Sequence, residues 1–415
     1  MNNRNIFVNA LWMIFDKSFI LLGGLITTLI VARYLSPSDM GLINYAILIS
    51  GFCTVISQWG GKFIIFEAAA KDEELANNYV EKTIIVRLIL YCLVWGAFSL
   101  YLYFNESREE FVFVSILSFS MLFLGLDVYQ YFFDGQLNSR LNSYATFSGR
   151  FFSIITRLLL VYLNAELWFF LVPFAFEGLI ILLIKMFYHR KLKNGQYPKV
   201  AGSKINVDYL KSGLPIVVFS FLSLFYDKMN LFLIKEYMAF SDVAIFTMAK
   251  TLAMAWTFLP MSFSTSIITR ELKNLDGKYL AKSYKSILLV STIPLLTTYF
   301  FSEEVIRYTL GSEYEEAAYY LFWLCLLAMF SCFNITTNRV IASMGKIGKR
   351  HLIRKSIVLS VISIAIGIQL VEKYGILGAI GSSAIIMFMD LFMLNILFNY
   401  RYFKNVYACT VKFRY

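Results

Sequence analysis

The chain has 415 residues, of which 59% are hydrophobic and only 16% charged, and it carries a formal net charge of +11. A soluble domain of this length could not bury so much apolar surface, so the composition indicates a polytopic membrane protein. The basic residues cluster in short loops beside apolar runs. That distribution is typical of membrane topology and argues against nucleic acid as a partner.

Apolar runs of about twenty residues recur along the whole chain, and this is the length that a helix needs to cross a bilayer. We predict twelve such spans, six in each half, joined by short loops. The predicted windows are 8–32, 41–65, 83–104, 111–133, 144–163, 167–188, 209–234, 243–268, 284–301, 317–339, 352–371 and 375–398. The predicted fold is therefore all-α, with two six-helix lobes at 1–200 and 201–415.

The first span carries Asp16 and Lys17 side by side near its middle. It is too long and too charged for a cleavable signal peptide, so we expect it to remain as a span. Lys and Arg are concentrated in alternate loops, on the side of both chain ends, where our count includes Arg87, Lys185 and Lys355. By the positive-inside rule this side is cytoplasmic, so both termini are predicted to be cytoplasmic.

An internal repeat supports six spans per half. A shift of 203 residues places Tyr34-Leu-Ser-Pro-Ser-Asp39, which follows the first span, over Tyr237-Met-Ala-Phe-Ser-Asp242, which follows the seventh. Six spans preserve the orientation of a helix, so the two lobes are expected to be parallel repeats around a central cavity, with a substrate site near the membrane midplane.

Motifs of enzymes and metal sites are missing from the sequence. The five cysteines form no Cys-x-x-Cys pair, and the two histidines lie far apart in basic segments. There is no HExxH, GxSxG or Walker sequence. We therefore predict that the chain is not an enzyme and has no catalytic residue, metal or cofactor.

Several motifs resemble those of a known family. The string Ala32-Arg-Tyr-Leu-Ser-Pro-Ser-Asp-Met-Gly-Leu42, with Asn9 and Trp12 before it and Asn44-Tyr-Ala46 after it, is similar to the amino-terminal signature of O-antigen type polysaccharide flippases. These flippases belong to the multidrug, oligosaccharidyl-lipid and polysaccharide exporter superfamily. Further similar motifs follow in the expected order at Gly213-x-Pro215, Gly311-x-x-Tyr314-x-x-Ala317 and Gly375-Ile-Leu-Gly-Ala379.

The resemblance implies a flippase that moves a polyprenyl-pyrophosphate-linked oligosaccharide across the bacterial cytoplasmic (inner) membrane by alternating access. Twelve spans, rather than the fourteen expected of a flippase for the peptidoglycan precursor, favour an O-antigen or capsule unit as the cargo, and hence a role in lipopolysaccharide biosynthesis. The implied partners are the lipid-linked oligosaccharide, membrane lipids, a polysaccharide polymerase and a chain-length regulator.

Cations within the spans are the candidates for binding the pyrophosphate, because phosphate groups need positive charge to neutralise them. These substrate-binding candidates are Lys17, Lys228, Lys250 and Arg157. Adjacent residues point about 100° apart on a helix, so we expect Asp16 and Lys17 not to reach the same point, and the same for Asp227 and Lys228. Structural pairing with acids on neighbouring helices, or snorkelling to an interface, are open alternatives for each cation.

Acids within the spans are candidates for coupling transport to an ion gradient, because burial raises the affinity of a carboxylate for protons. The candidates are Asp16, Asp127, Glu177 and Asp390. Two other functional classes remain open. One is an ion-coupled drug or metabolite antiporter of the same superfamily, and the other is a membrane polysaccharide polymerase, which we expect to need a large outer loop or an Asp-x-Asp motif that the sequence lacks.

Overall fold

The computed structural model describes residues 23–193, 207–275 and 277–411. These residues are helical apart from short connections, and no strand occurs among them. The helices are α1 Gly23–Tyr34, α2 Pro37–Ser57, α3 Gly61–Lys71, α4 Glu73–Lys82, α5 Ile84–Asn105, α6 Arg108–Ser120, α7 Leu122–Leu126, α8 Tyr129–Gly135, α9 Ser139–Tyr162, α10 Leu171–Lys193, α11 Val207–Tyr237, α12 Phe240–Met254, α13 Phe258–Asn274, α14 Lys278–Phe300, α15 Ser302–Thr309, α16 Ala317–Ser343, α17 Gly345–Phe388, α18 Leu394–Phe398 and α19 Tyr400–Val411.

Membrane-crossing segments occur throughout the described chain. Seven helical segments are long and apolar enough to cross a bilayer, and two bent helix pairs, α12 with α13 and α14 with α15, raise the number to nine. Where they are described, the twelve predicted windows are mostly helical, with short interruptions such as those at 58–60, 127–128 and 255–257. The last two windows share one segment of 54 residues, Gly345–Phe398. The prediction of an all-α polytopic membrane protein is confirmed.

The segment Gly345–Phe398 contains two spans because the helix is interrupted at Gly375. This glycine has φ 57° and ψ −131°, outside the helical region. The chain turns back there: a Cβ atom on Gly378 would meet the backbone of Leu370, eight residues earlier. In a continuous helix those residues would stand about 12 Å apart. Spans eleven and twelve therefore form a helical hairpin.

The described chain forms two compact units. Unit 1 contains 23–35 and 42–221, and unit 2 contains Ser36–Gly41 and the residues from Leu222 onward. The division falls within α11. The predicted lobes, 1–200 and 201–415, are defined by the sequence repeat, whereas the two units are defined by compactness. The predicted boundary at residue 200 therefore stays a prediction.

The turns of the 203-residue repeat have matching helix boundaries. Helix α1 ends at Tyr34 and α11 at Tyr237, while α2 begins at Pro37 and α12 at Phe240. The shift of 203 relates both pairs. In each turn the residue before the new helix is bonded to the aspartate three residues later. The Ser36 hydroxyl accepts a hydrogen bond from the Asp39 amide and donates one to the Asp39 carboxylate, whereas the Asp242 carboxylate accepts one from the Ala239 amide. The two turns therefore join the same pair of positions, through different atoms.

In unit 1, α9 and α10 form an antiparallel pair. Arg157 lies over the ring of Phe174, at 4.2 Å from its centroid, while Arg150 pairs with Glu177. Residues later in α10 therefore contact residues earlier in α9, as in an antiparallel pair. A Cβ atom on Gly149 would lie 2.5 Å from Ile181, so the glycine allows the two helices to approach closely.

Candidate functional site

Three charged side chains of unit 2 meet where α11 packs beside α12. Nζ of Lys228 lies 3.5 Å from Oδ2 of Asp227, and Nζ of Lys250 lies 3.7 Å from Oδ1 of the same carboxylate. We call this group the lysine triad. Two cations share one anion, so the triad carries a net charge of +1. Its charge–charge distances are longer than the 2.7–2.9 Å that is typical of a charge-assisted hydrogen bond.

The depth of the lysine triad follows from its position on the helices. Asp227 lies ten residues before the end of α11 at Tyr237, and Lys250 lies ten residues after the start of α12 at Phe240. At a rise of 1.5 Å per residue both are about 15 Å from the connecting turn. Because the hydrocarbon core of a bilayer is about 30 Å thick, the triad lies near the depth of its midplane.

The lysine triad is accessible in unit 2 and is not a closed ion pair. The side chains of Asp227, Lys228 and Lys250 are 47%, 35% and 25% exposed. Our expectation that Asp227 and Lys228 cannot reach the same point is wrong. The lysine has a flexible four-carbon stem, which lets its ammonium fold back toward the preceding residue on the helix.

A second group of two cations and one anion lies in unit 1, between α9 and α10. Nε of Arg150 lies 3.0 Å from Oε1 of Glu177, and Nη2 of Arg157 lies 3.6 Å from Oε2. We call this group the arginine triad. It also carries a net charge of +1, but Glu177 is buried, and Arg157 is covered by the ring of Phe174. Arg150 is the most accessible member, with a side chain that is 33% exposed.

Two further ion pairs are short, buried and electrically neutral, and we call them the closed pairs. In unit 1, Nζ of Lys185 lies 2.5 Å from Oδ2 of Asp127, and in unit 2, Nζ of Lys355 lies 2.5 Å from Oδ1 of Asp390. All four side chains are at most 7% exposed. The ammonium of Lys355 also donates to the side-chain oxygens of Asn338 and Asn395. A lysine with three donors satisfied in this way holds helices together and has little capacity to bind a ligand.

The predicted substrate-binding cations are thus divided between the units. Lys228 and Lys250 come together around Asp227, and Arg157 lies in the arginine triad of the other unit. Lys17 and its neighbour Asp16 lie outside the described residues. The predicted coupling acids Asp127, Glu177 and Asp390 each lie beside at least one cation.

Sequence reasoning assigned three buried cations to loops, and that assignment is wrong. Arg87, Lys185 and Lys355 lie within helices and are 1%, 2% and 4% exposed. The hydropathy windows do contain these positions, but a cation near the end of a window is indistinguishable from a loop residue by composition. The guanidinium of Arg87 donates to the carbonyl of Val80, while its Nε and Nη1 have no hydrogen-bond partner among the described residues.

A metal site is not apparent in the part of the chain that the structure describes, where no three His, Cys, Asp or Glu side chains are grouped to hold an ion. The two triads consist of Lys, Arg, Asp and Glu side chains alone, so what they offer a ligand is charge. Each offers a partly compensated positive charge to an anionic group, and neither contains a nucleophile with an adjacent base.

Comparison with known families identifies the group to which the chain belongs. A family described as polysaccharide biosynthesis protein matches residues 30–319, which is more than half of the chain. The chain belongs to this family. The matched region contains all six members of the two triads and most of the motifs that carried the resemblance, including the one at 32–42, but not Asn9, Trp12 or the motif at 375–379. A search of curated protein sequences finds no match.

Solved structures of a lipid II flippase and of MOP superfamily transporters have a fold similar to that of this chain. A lipid II flippase, MurJ, in an inward closed conformation has a TM-score of 0.71 at 14% identity, covering 96% of this chain and 90% of its own. An inward-facing multidrug resistance MATE transporter of the MOP superfamily has a TM-score of 0.69 at 14% identity, covering 95% and 96%. A MOP superfamily transporter from Pyrococcus furiosus has a TM-score of 0.62 at 16% identity, covering 98% and 96%.

Proposed function

We propose that this protein is a flippase for a polyprenyl-pyrophosphate-linked oligosaccharide, an O-antigen or capsule repeat unit, and that it works by alternating access. The observation that carries the proposal is the lysine triad, an accessible group with excess positive charge at midplane depth in a member of a polysaccharide biosynthesis family. A pyrophosphate is the part of such a cargo that needs cations, and Lys228 and Lys250 would provide them.

The energetic argument starts from the cost of charge in a membrane. A single lysine or aspartate at the centre of a spanning helix costs about 2.5–3.5 kcal/mol on insertion scales. Purely structural charges reduce that cost by forming short, buried, neutral pairs, as Lys185 and Asp127 do at 2.5 Å. In the lysine triad the charge–charge distances are longer, the net charge is +1 and the side chains are partly exposed. Its arrangement suits a site that must release its own counter-ion to bind a more highly charged anion.

The charge balance favours an anionic cargo over a cationic drug. An organic cation in a membrane site needs a carboxylate that is not already compensated. The described candidate acids Asp127, Glu177 and Asp390 each have a Lys or Arg nitrogen within 4 Å, and so does Asp227. In both triads cations outnumber acids by two to one. In an antiporter for organic cations we would expect the opposite, with more acids than cations at the site.

The proposal also covers the membrane in which the protein lies, its partners and the energy source for transport. We place the protein in the bacterial cytoplasmic membrane with both termini in the cytoplasm, as the distribution of Lys and Arg indicates. A polymerase and a chain-length regulator on the far side would consume the translocated unit. Proton uptake by Asp127, Glu177 or Asp390 would couple transport to an ion gradient, in which case the paired cation would become uncompensated and favour a change of conformation. On this proposal the protein translocates its cargo without catalysing a chemical reaction.

The proposal is tested by reconstitution in liposomes. Polyprenyl-pyrophosphate-linked oligosaccharide with a fluorescent sugar is incorporated into both leaflets, and a membrane-impermeant quencher is then added. We expect the quencher to reach about half of the label in empty liposomes and nearly all of it in liposomes that contain the protein. Equal quenching in both, together with uptake of a fluorescent organic cation driven by an ion gradient, would overturn the flippase proposal in favour of the antiporter.

A further inference from the structure

A groove on the outer surface of unit 1 runs between the start of α9 and the end of α10. It has a volume of about 430 Å³. Its lining residues are Tyr144, Ser148, Leu183, Ile184, Phe187 and Tyr188. The side chains of Leu183 and Phe187 are more than half exposed, so the groove opens toward the surroundings of the helices, which in a membrane are acyl chains. None of its lining residues belongs to either triad.

The lining residues form one stripe on each helix. On α9 the stripe is Tyr144 and Ser148, four residues apart, and on α10 Leu183 and Phe187 have the same spacing. Such residues lie on one face of a helix. The groove ends beyond Ser148, where Gly149 allows α9 and α10 to close on one another. At the opposite end it is open.

Each stripe continues into a cation at the open end of the groove. Four residues before Tyr144 is Arg140, and four residues after Phe187 is Lys191, and both cations are exposed. The guanidinium of Arg140 is held at the mouth of the groove, because it donates to Oη of Tyr144 at 2.9 Å and lies 5.2 Å from the centroid of its ring. Since the helices are antiparallel, both cations are at the same end.

The groove therefore has an apolar body and a cationic mouth, which is complementary to an amphiphile with an anionic head. From Arg140 to Ser148 the stripe is eight residues, or about 12 Å, long. One leaflet of a bilayer contributes about 15 Å of hydrocarbon. The groove thus matches the acyl chain of a lipid that occupies a single leaflet, with its head at the interface, where aromatic residues such as Tyr188 are usually found.

From this geometry we propose that the α9–α10 groove is a binding site for an anionic glycerophospholipid, separate from the two triads. The phosphate lies between Arg140 and Lys191, and one acyl chain packs against Leu183, Ile184 and Phe187. A basic mouth of this kind distinguishes anionic from zwitterionic lipids, and each cation near an anionic lipid contributes about a fivefold increase in affinity.

The site is tested on the full-length, delipidated protein by native mass spectrometry with added phosphatidylglycerol. Phosphatidylcholine with the same acyl chains is the control lipid. We expect one phosphatidylglycerol to bind preferentially and the variant R140A/K191A to bind it roughly 25-fold more weakly, from fivefold for each cation. The control variant K346A/K349A removes two exposed lysines of unit 2 and should bind as the wild type does.

A second variant tests the apolar part without changing the charge. Ser148→Phe fills the groove, and we expect it to abolish preferential binding. Ser266→Phe is the matched control, because Ser266 is also an exposed helical serine whose hydroxyl donates to the carbonyl four residues earlier. Undecaprenyl phosphate is then added as a competitor. Equal binding of both phospholipids, wild-type binding by R140A/K191A or S148F, or displacement of phosphatidylglycerol by an equimolar amount of undecaprenyl phosphate would each overturn the proposal.

Discussion

Nζ of Lys250 lies 3.7 Å from Oδ1 of Asp227, a contact that joins α12 to α11 at the same distance from the turn between them. Lys228 approaches the other oxygen of the same carboxylate. This sharing is the clearest difference between the lysine triad and the closed pairs, in which each carboxylate has one lysine and each lysine one carboxylate. The first two predictions follow from it.

Removing either lysine of the triad should abolish transport. We expect Lys228→Ala and Lys250→Ala each to eliminate surface polysaccharide while the protein remains inserted and abundant, because the pyrophosphate loses one of two counter-charges. The measurement is surface polysaccharide per unit of membrane-inserted protein. Lys235→Ala is the matched control, since Lys235 lies on the same helix two turns away, over the ring of Phe240. Wild-type levels of surface polysaccharide in both single variants would remove these lysines from the site.

Neutralising the acid of the triad should have the opposite effect on binding. In Asp227→Asn the two lysines no longer have an internal counter-ion, so an anionic head does not have to displace one. We expect undecaprenyl pyrophosphate to bind roughly tenfold more tightly, equivalent to about 1.4 kcal/mol, and to be released more slowly, which lowers turnover. The checks are equilibrium binding to the purified variant and the flipping rate in liposomes. Weaker binding by Asp227→Asn than by the wild type would show that the carboxylate helps to form the site.

The contrast between Lys228 and Lys355 shows what could be predicted from the sequence. Periodicity and hydropathy were sufficient to predict the helical spans, and a charge well inside a window was sufficient to select Lys228 and Lys250. The same reasoning could not distinguish a buried cation near the end of a span from a loop residue. Lys355 was therefore misassigned, although it is only 4% exposed.

Pairing was the second property that the sequence could not provide. Asp127 and Lys185 are 58 residues apart, and which acid meets which cation depends on the packing of helices around them. Likewise, Arg150 gave no signal of its own, because its role depends on Glu177 being opposite it on α10. One-dimensional patterns give the depth and face of a residue, whereas partners are set in three dimensions.

The closed pair of unit 1 should matter for stability. Removing one partner leaves a buried charge uncompensated, which typically costs about 3–5 kcal/mol. We therefore expect Lys185→Met and Asp127→Leu each to lower the unfolding temperature of the purified protein strongly, whereas the double variant recovers much of the loss. Lys71→Ala is the control, because its pair with Glu67 is exposed and should contribute at most about 0.5 kcal/mol. A double variant no more stable than either single variant would contradict this account of the pair.

The hairpin of spans eleven and twelve depends on one glycine. Gly375 has φ 57°, a conformation that residues with a Cβ atom rarely adopt, and an added Cβ would also lie 3.0 Å from Cε of Met238. Strain of this kind costs about 1–3 kcal/mol. We expect Gly375→Ala to lower the unfolding temperature measurably, because the flexible end of Met238 can move but the backbone of the turn cannot relax without separating the two spans.

Gly381 provides the matched control on the same segment. It has no positive φ, and its added Cβ would meet only Cδ1 of Leu370, at an ordinary 3.8 Å. Alanine is favoured over glycine within a helix by up to about 1 kcal/mol, so Gly381→Ala should leave the unfolding temperature unchanged or raise it. Both variants remove the same kind of residue and add the same methyl group. Equal unfolding temperatures for the two would mean that the turn does not require glycine at position 375, and that the hairpin is held by packing alone.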